Sequence, residues 1–99
     1  MRSGYKILWT DFALEELAQT ISYLEQYFTD KEIKALSQKI ESTTELLSRN
    51  PFLFSKSEFK QVYKVTILKY NTLYYRIVEK DAHILSFFSN RQNPLKRKI

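Results

Sequence analysis

Lys64, Tyr74, Arg76 and Arg91 are the side chains best suited to do chemistry in this chain. The first three lie in two short alternating stretches, VYKVTIL (62 to 68) and LYYRIV (73 to 78), and Arg91 follows a third, HILSFFS (83 to 89). A guanidinium presents a planar fork of donors that grips phosphate or carboxylate through two bonds at once, and an ammonium adds a point charge. Such cations beside a phenol suit an anion with several oxygens. Cutting a phosphodiester asks for more: a group to take a proton, a cation to stabilise the crowded phosphate and an acid for the leaving oxygen. An amine or phenol must be strongly acidified by its surroundings before it can take a proton at neutral pH. The bland alternative is that Lys64 and Arg76 form a cross-strand pair on a solvated sheet face, with Tyr74 and Tyr75 packing in the core and at its rim.

Strand parity decides which of these residues can meet. In the second strand Tyr63, Val65 and Ile67 share one face and Val62, Lys64, Thr66 and Leu68 the other; in the third, Leu73, Tyr75 and Ile77 oppose Tyr74, Arg76 and Val78. Tyr63, Val65, Ile67, Leu73, Tyr75 and Ile77 are expected on the core. Lys64, Thr66, Tyr74 and Arg76 are then expected together on the open side. The last strand leaves its faces undecided, because His83, Leu85 and Phe87 alternate with Ile84, Ser86 and Phe88. His83, at its start beside a turn, is expected at the surface.

The cover for the core comes from the first half. YKILWT (5 to 10) reads as a strand, with Trp9 packing on the helix that follows. Leu14, Leu17, Ala18, Ile21, Leu24 and Phe28 recur at helical spacing; after TDKE (29 to 32), a helix-start signature, so do Ile33, Leu36, Ile40, Thr43 or Thr44, and Leu47, until Asn50 and Pro51 end the run. The short gap implies an antiparallel helical hairpin. A polar loop is expected over Ser55 to Lys60. The expected architecture is α+β, in the order β-α-α-β-β-β, with the hairpin packed on one face of a small, mainly antiparallel sheet.

Ninety-nine residues make one domain, 1–99. The absence of cysteine and the single His83 exclude disulfides and the usual thiolate or polyhistidine metal sites, so neither a metal nor another cofactor is expected. No stretch approaches the roughly 18 apolar residues of a membrane span, and a cytoplasmic protein without a membrane partner is expected. Charge is uneven: residues 1–54 carry six basic and eight acidic side chains, residues 55–99 ten and three. The C-terminal stretch concentrates this with Arg91, Lys96, Arg97 and Lys98 and no acid, which favours a polyanion or an acidic peptide as partner.

The order and spacing of these pieces resemble the RelE/ParE superfamily of toxins from type II toxin–antitoxin pairs, in the ParE-like, plasmid-stabilisation branch. The resemblance runs over nearly the whole chain: WTDFALEEL, a hairpin ending at RNP, VYKVTILKYNTLYYRIV, and HILSFFSNRQNP. It implies the same fold and a growth inhibitor held inactive by a cognate antitoxin, an acidic peptide that wraps the toxin. ParE-like members poison DNA gyrase. RelE-like members enter the ribosome and cut mRNA with basic residues on the open sheet face and near the C-terminus. Under that second reading Lys64, Arg76 and Arg91 are the catalytic candidates; under the first, Tyr74, Lys96, Arg97 and Lys98 are candidates for target contact. Arg91 matches an Arg that recurs near the end of the final strand, but QNPLKRKI follows it where the nucleases carry a His and Tyr pair. Self-association into a homodimer is left open.

Overall fold

In the computed structural model, which describes residues 4–89, strand β1 (Lys6–Trp9) leads through Thr10 into helix α1 (Asp11–Tyr27). The Thr10 side-chain oxygen accepts the Ala13 N–H at 3.2 Å, satisfying a donor that the first helical turn leaves free. Its hydroxyl donates to the Ile84 carbonyl at 2.8 Å, so the same residue caps the helix and ties it to the sheet.

Only Phe28 and Thr29 separate α1 from helix α2 (Asp30–Arg49), which forces the hairpin. The Glu32 carboxylate accepts the Thr29 N–H at 3.1 Å and its hydroxyl at 2.5 Å. The Thr29 hydroxyl is the main reason the Glu32 carboxyl sits below its ordinary pKa. At the other end the Asn50 N–H returns to the Leu46 carbonyl at 2.9 Å, and Pro51 cannot continue the ladder.

The sheet adds β2 (Ser55–Lys56), β3 (Tyr63–Ile67), β4 (Asn71–Val78) and β5 (Asp81–Ser89), in the spatial order β1-β5-β4-β3-β2. β1 lies parallel to β5 and every other pairing is antiparallel. This is the expected α+β layout with one addition. Ser55 and Lys56, read as loop, pair with Lys64 and Tyr63, and β2 forms there because the segment folds back beside β3.

The core lies between hairpin and sheet. Leu36, Leu47, Ile67, Leu73, Tyr75, Ile84 and Phe87 are its large buried side chains, and burying an aliphatic side chain of this size is worth about 1.5–3 kcal/mol. The buried face of α2 is the expected one, with Ile33 and Ile40 packed beside Leu36, Thr43 and Leu47. On α1 the stripe is found as expected at Leu17, Ile21 and Leu24 but not at its edges. Ala13, Thr20 and Leu24 are buried, whereas Leu14 is 47% and Phe28 40% exposed, and Ala18 also faces outward. Thr20 tolerates burial because its hydroxyl donates to the Glu16 carbonyl at 3.0 Å within the helix. Trp9 is half-buried against the core, its ring centroid 6.5 Å from that of Phe87.

The β4–β5 hairpin turns through Glu79, whose φ is 58°. Only glycine adopts that left-handed conformation without steric cost. Glu79→Gly is expected to stabilise the fold by about 0.5–1 kcal/mol, the relief of strain exceeding the added chain entropy. Urea unfolding at neutral pH checks this through a raised midpoint with an unchanged slope.

Candidate interaction face of the sheet

The helices leave one face of the sheet open, and the side chains on it are set by register. Lys64 lies directly opposite Tyr74, and Thr66 opposite Thr72. Arg76 lies opposite His83. Lys64 and Arg76 are therefore diagonal neighbours and not a direct pair. Both are exposed, while Tyr74 and His83 are partly covered. The expected cluster of Lys64, Thr66, Tyr74 and Arg76 shares this face, and His83 joins it as the one member that strand parity left aside. Arg91, Lys96, Arg97 and Lys98 lie outside the described residues.

The undecided faces of β5 have a structural explanation. Tyr75 pairs with Ile84, but Tyr74 pairs with Ser86, so Leu85 is an extra residue in the ladder. Before this bulge the even-numbered Ala82 and Ile84 face the core; after it the odd-numbered Phe87 does. Each parity is right for half of the strand.

The bulge also shapes the open face. Leu85, Ser86 and Phe88 from β5 join Tyr74 from β4, and Phe59 and Val62 from the β2–β3 connection, to line a largely apolar groove of about 540 Å³. The connection is held in place from within. Ser57 Oγ accepts the Phe59 N–H at 3.0 Å, and the Ser57 N–H reaches the Val62 carbonyl at 2.8 Å. Phe59, 56% exposed, meets Tyr74 edge to face at 5.9 Å. Cationic Lys64 and Arg76 share the face onto which this apolar groove opens. Such a mixture fits an amphipathic peptide bearing carboxylates.

Charge separates the two sides of the molecule. α1 carries Asp11, Glu15, Glu16 and Glu25 and no cation, whereas residues 55–89 hold six cations and three acids. Residues 4–89 taken together hold eleven of each, so the excess of five resides in Arg2, Arg91, Lys96, Arg97 and Lys98. Among the described residues no group of three His, Cys, Asp or Glu could hold a metal ion, and no helix is long and apolar enough to cross a membrane.

Comparison with known proteins places this geometry. Residues 7–94 match the family model described as the ParE toxin of type II toxin–antitoxin system, parDE. A solved structure titled "Chromosomal ParDE TA system from P. aeruginosa" superposes with a TM-score of 0.69 at 24% identity, covering 86% of this chain and 95% of that one. The YoeB dimer from Staphylococcus aureus superposes with a TM-score of 0.59 at 21% identity, covering 85% and 94%. At these identities the likeness is one of fold. A search of curated proteins gives no sequence match.

Proposed function

Because the chain belongs to the ParE toxin family of type II toxin–antitoxin systems, we propose that it arrests growth by binding a protein target, DNA gyrase, and that a cognate acidic antitoxin neutralises it. The family match over residues 7–94 carries this reading. The open face supports it, since an apolar groove bordered by Tyr74 is built to bury side chains of another protein. Tyr74 is the central contact in this proposal, and Lys96, Arg97 and Lys98 add long-range attraction for an acidic partner. Lys64 and Arg76 serve as rim charges that orient it.

One observation favours a second reading, cleavage of ribosome-bound mRNA. His83 stands directly across from Arg76, on the same face as the Lys64–Tyr74 pair, which puts an imidazole, a phenol and two cations on one surface. In that case Arg76, Lys64 and Arg91 hold and stabilise the phosphate, and His83 is the residue positioned to exchange a proton.

Pulse labelling with thymidine and methionine in the first minutes after induction separates the two. Thymidine incorporation is expected to fall first, and Arg76→Ala, Arg91→Ala and His83→Ala are each expected to weaken the arrest gradually. If methionine incorporation falls first and His83→Ala alone abolishes it, the nuclease reading replaces the gyrase one.

A further inference from the structure

β5 outruns its neighbour. The β1–β5 pairing ends with Trp9 opposite Ile84, yet β5 continues to Ser89, so among the described residues its last five have no strand beside them on that edge. An open edge of this kind normally invites another strand. Here α1 supplies a side chain in its place. Glu16 Oε1 accepts the Phe87 N–H at 2.8 Å and the Ser86 hydroxyl at 2.6 Å. One carboxylate oxygen thus takes the position a neighbouring strand's carbonyl would occupy. Bonds of this type to a charged acceptor are roughly twice as strong as neutral ones.

The location of these bonds matters more than their number. On the near side of the bulge Thr10 holds the Ile84 carbonyl through its hydroxyl at 2.8 Å and its N–H at 3.1 Å. On the far side Glu16 holds Ser86 and Phe87. Leu85, the extra residue between them, is therefore clamped at one end by the residue that caps α1 and at the other by α1 itself, neither of which contributes to the groove lining. Ser86 lines the groove, so Glu16 reaches past the free edge of β5 from the helix side to the open side.

We propose that Glu16 is a positioning residue of the groove: its carboxylate fixes the far side of the bulge and thereby sets Leu85, Ser86 and Phe88 as the groove wall. This rests on reading the groove as a docking surface. A carboxylate that only plugs the edge would stabilise the fold without affecting what the groove binds.

The test compares Glu16→Ala, Glu16→Asp and Glu16→Gln in the full chain. Aspartate keeps the charge but is one methylene short, while the glutamine amide oxygen can accept both donors. The first readout is hydrogen exchange at the Phe87 amide, normalised to residues on α2. The second is titration with the apolar dye 8-anilinonaphthalene-1-sulfonate well below the melting temperature of each variant. Ala and Asp are expected to speed Phe87 exchange at least tenfold and weaken the dye about tenfold, with Gln close to wild type in both. Unchanged dye affinity in a Glu16→Ala protein whose Phe87 amide has become labile overturns the proposal and leaves Glu16 as an edge plug. Unchanged exchange, or a Gln variant that behaves like Ala, overturns it as well. If wild-type protein takes up no dye, the groove reading fails, and Phe87 exchange together with Leu85 methyl shifts still decides whether Glu16 holds the wall.

Discussion

Tyr75→Ala is expected to leave the chain largely unfolded at 37 °C. The ring is fully buried at the centre of β4, stacked 5.4 Å from Tyr63 directly across on β3, and its hydroxyl donates to the Pro51 carbonyl at 2.5 Å. Emptying an aromatic site of this kind costs about 3–5 kcal/mol. Leaving a buried carbonyl without its donor adds about 1–3 kcal/mol. A domain of this length has on the order of 5–15 kcal/mol in total. Tyr75→Phe separates the two contributions, since it keeps the ring and deletes only the bond to Pro51. It is expected to cost about 1–3 kcal/mol by urea unfolding, with the slope of the transition unchanged.

The same residue makes stability fall in alkali. Burial pushes the Tyr75 phenol well above its ordinary value near 10, and the neighbouring Tyr63 pushes the same way. The folded state therefore keeps the neutral phenol while the unfolded chain ionises. The contribution is complete below the unfolded pKa and is lost as pH rises from there through the folded value. Around pH 11 the wild-type protein is expected to lose up to about 1.4 kcal/mol per pH unit more than Tyr75→Phe does. The difference between the two proteins isolates Tyr75 from the six other tyrosines, and equal slopes would mean that the phenol is not held neutral by the fold.

What could be read from the amino acids, and what could not, follows from how local each determinant is. The α2 stripe, the TDKE start and the Asn50–Pro51 stop depend on neighbours within one helix, and all three are found as read. The core faces of β3 and β4 follow from simple alternation, as does the placing of Lys64, Tyr74 and Arg76 on the other side. The α1 stripe holds at Leu17, Ile21 and Leu24 and differs at its edge, because apolar pattern alone ranks Leu14 above Thr20, whereas Thr20 satisfies its own hydroxyl inside the helix and can be buried. The groove was hidden for a different reason. Alternation puts Val62 on the open face, but Phe59 comes from a connection that alternation does not reach, and Leu85 comes from an insertion visible only once β5 is paired with β4. One signal was available: neither parity of residues 83 to 89 gives a consistently apolar face, which is what a bulge in mid-strand produces. Glu16, bound to residues seventy positions away, had no local signature at all.

Leu85→Asp is expected to abolish docking in the groove while leaving a folded protein. Leu85 is partly exposed and lines the groove with Tyr74 and Phe88, so its replacement removes apolar surface from the centre of the proposed contact without opening a cavity in the core. A carboxylate there must be desolvated against aromatic rings when a partner binds, and it would repel an antitoxin of the acidic kind proposed above. Central hot-spot changes cost about 2 kcal/mol or more, roughly a thirtyfold loss of affinity. The measurement is titration with the cognate antitoxin, alongside the melting curve of the free protein. Lys64→Glu serves as the contrast: an exposed rim charge should slow association and lose its effect at high salt, whereas Leu85→Asp should speed dissociation at every salt concentration. That pattern assigns binding to the groove and steering to the cations around it. A Leu85→Asp protein that holds antitoxin as tightly as wild type would move the contact surface off the open face, to the outer side of the helical hairpin where Phe12, Leu14 and Tyr27 are exposed.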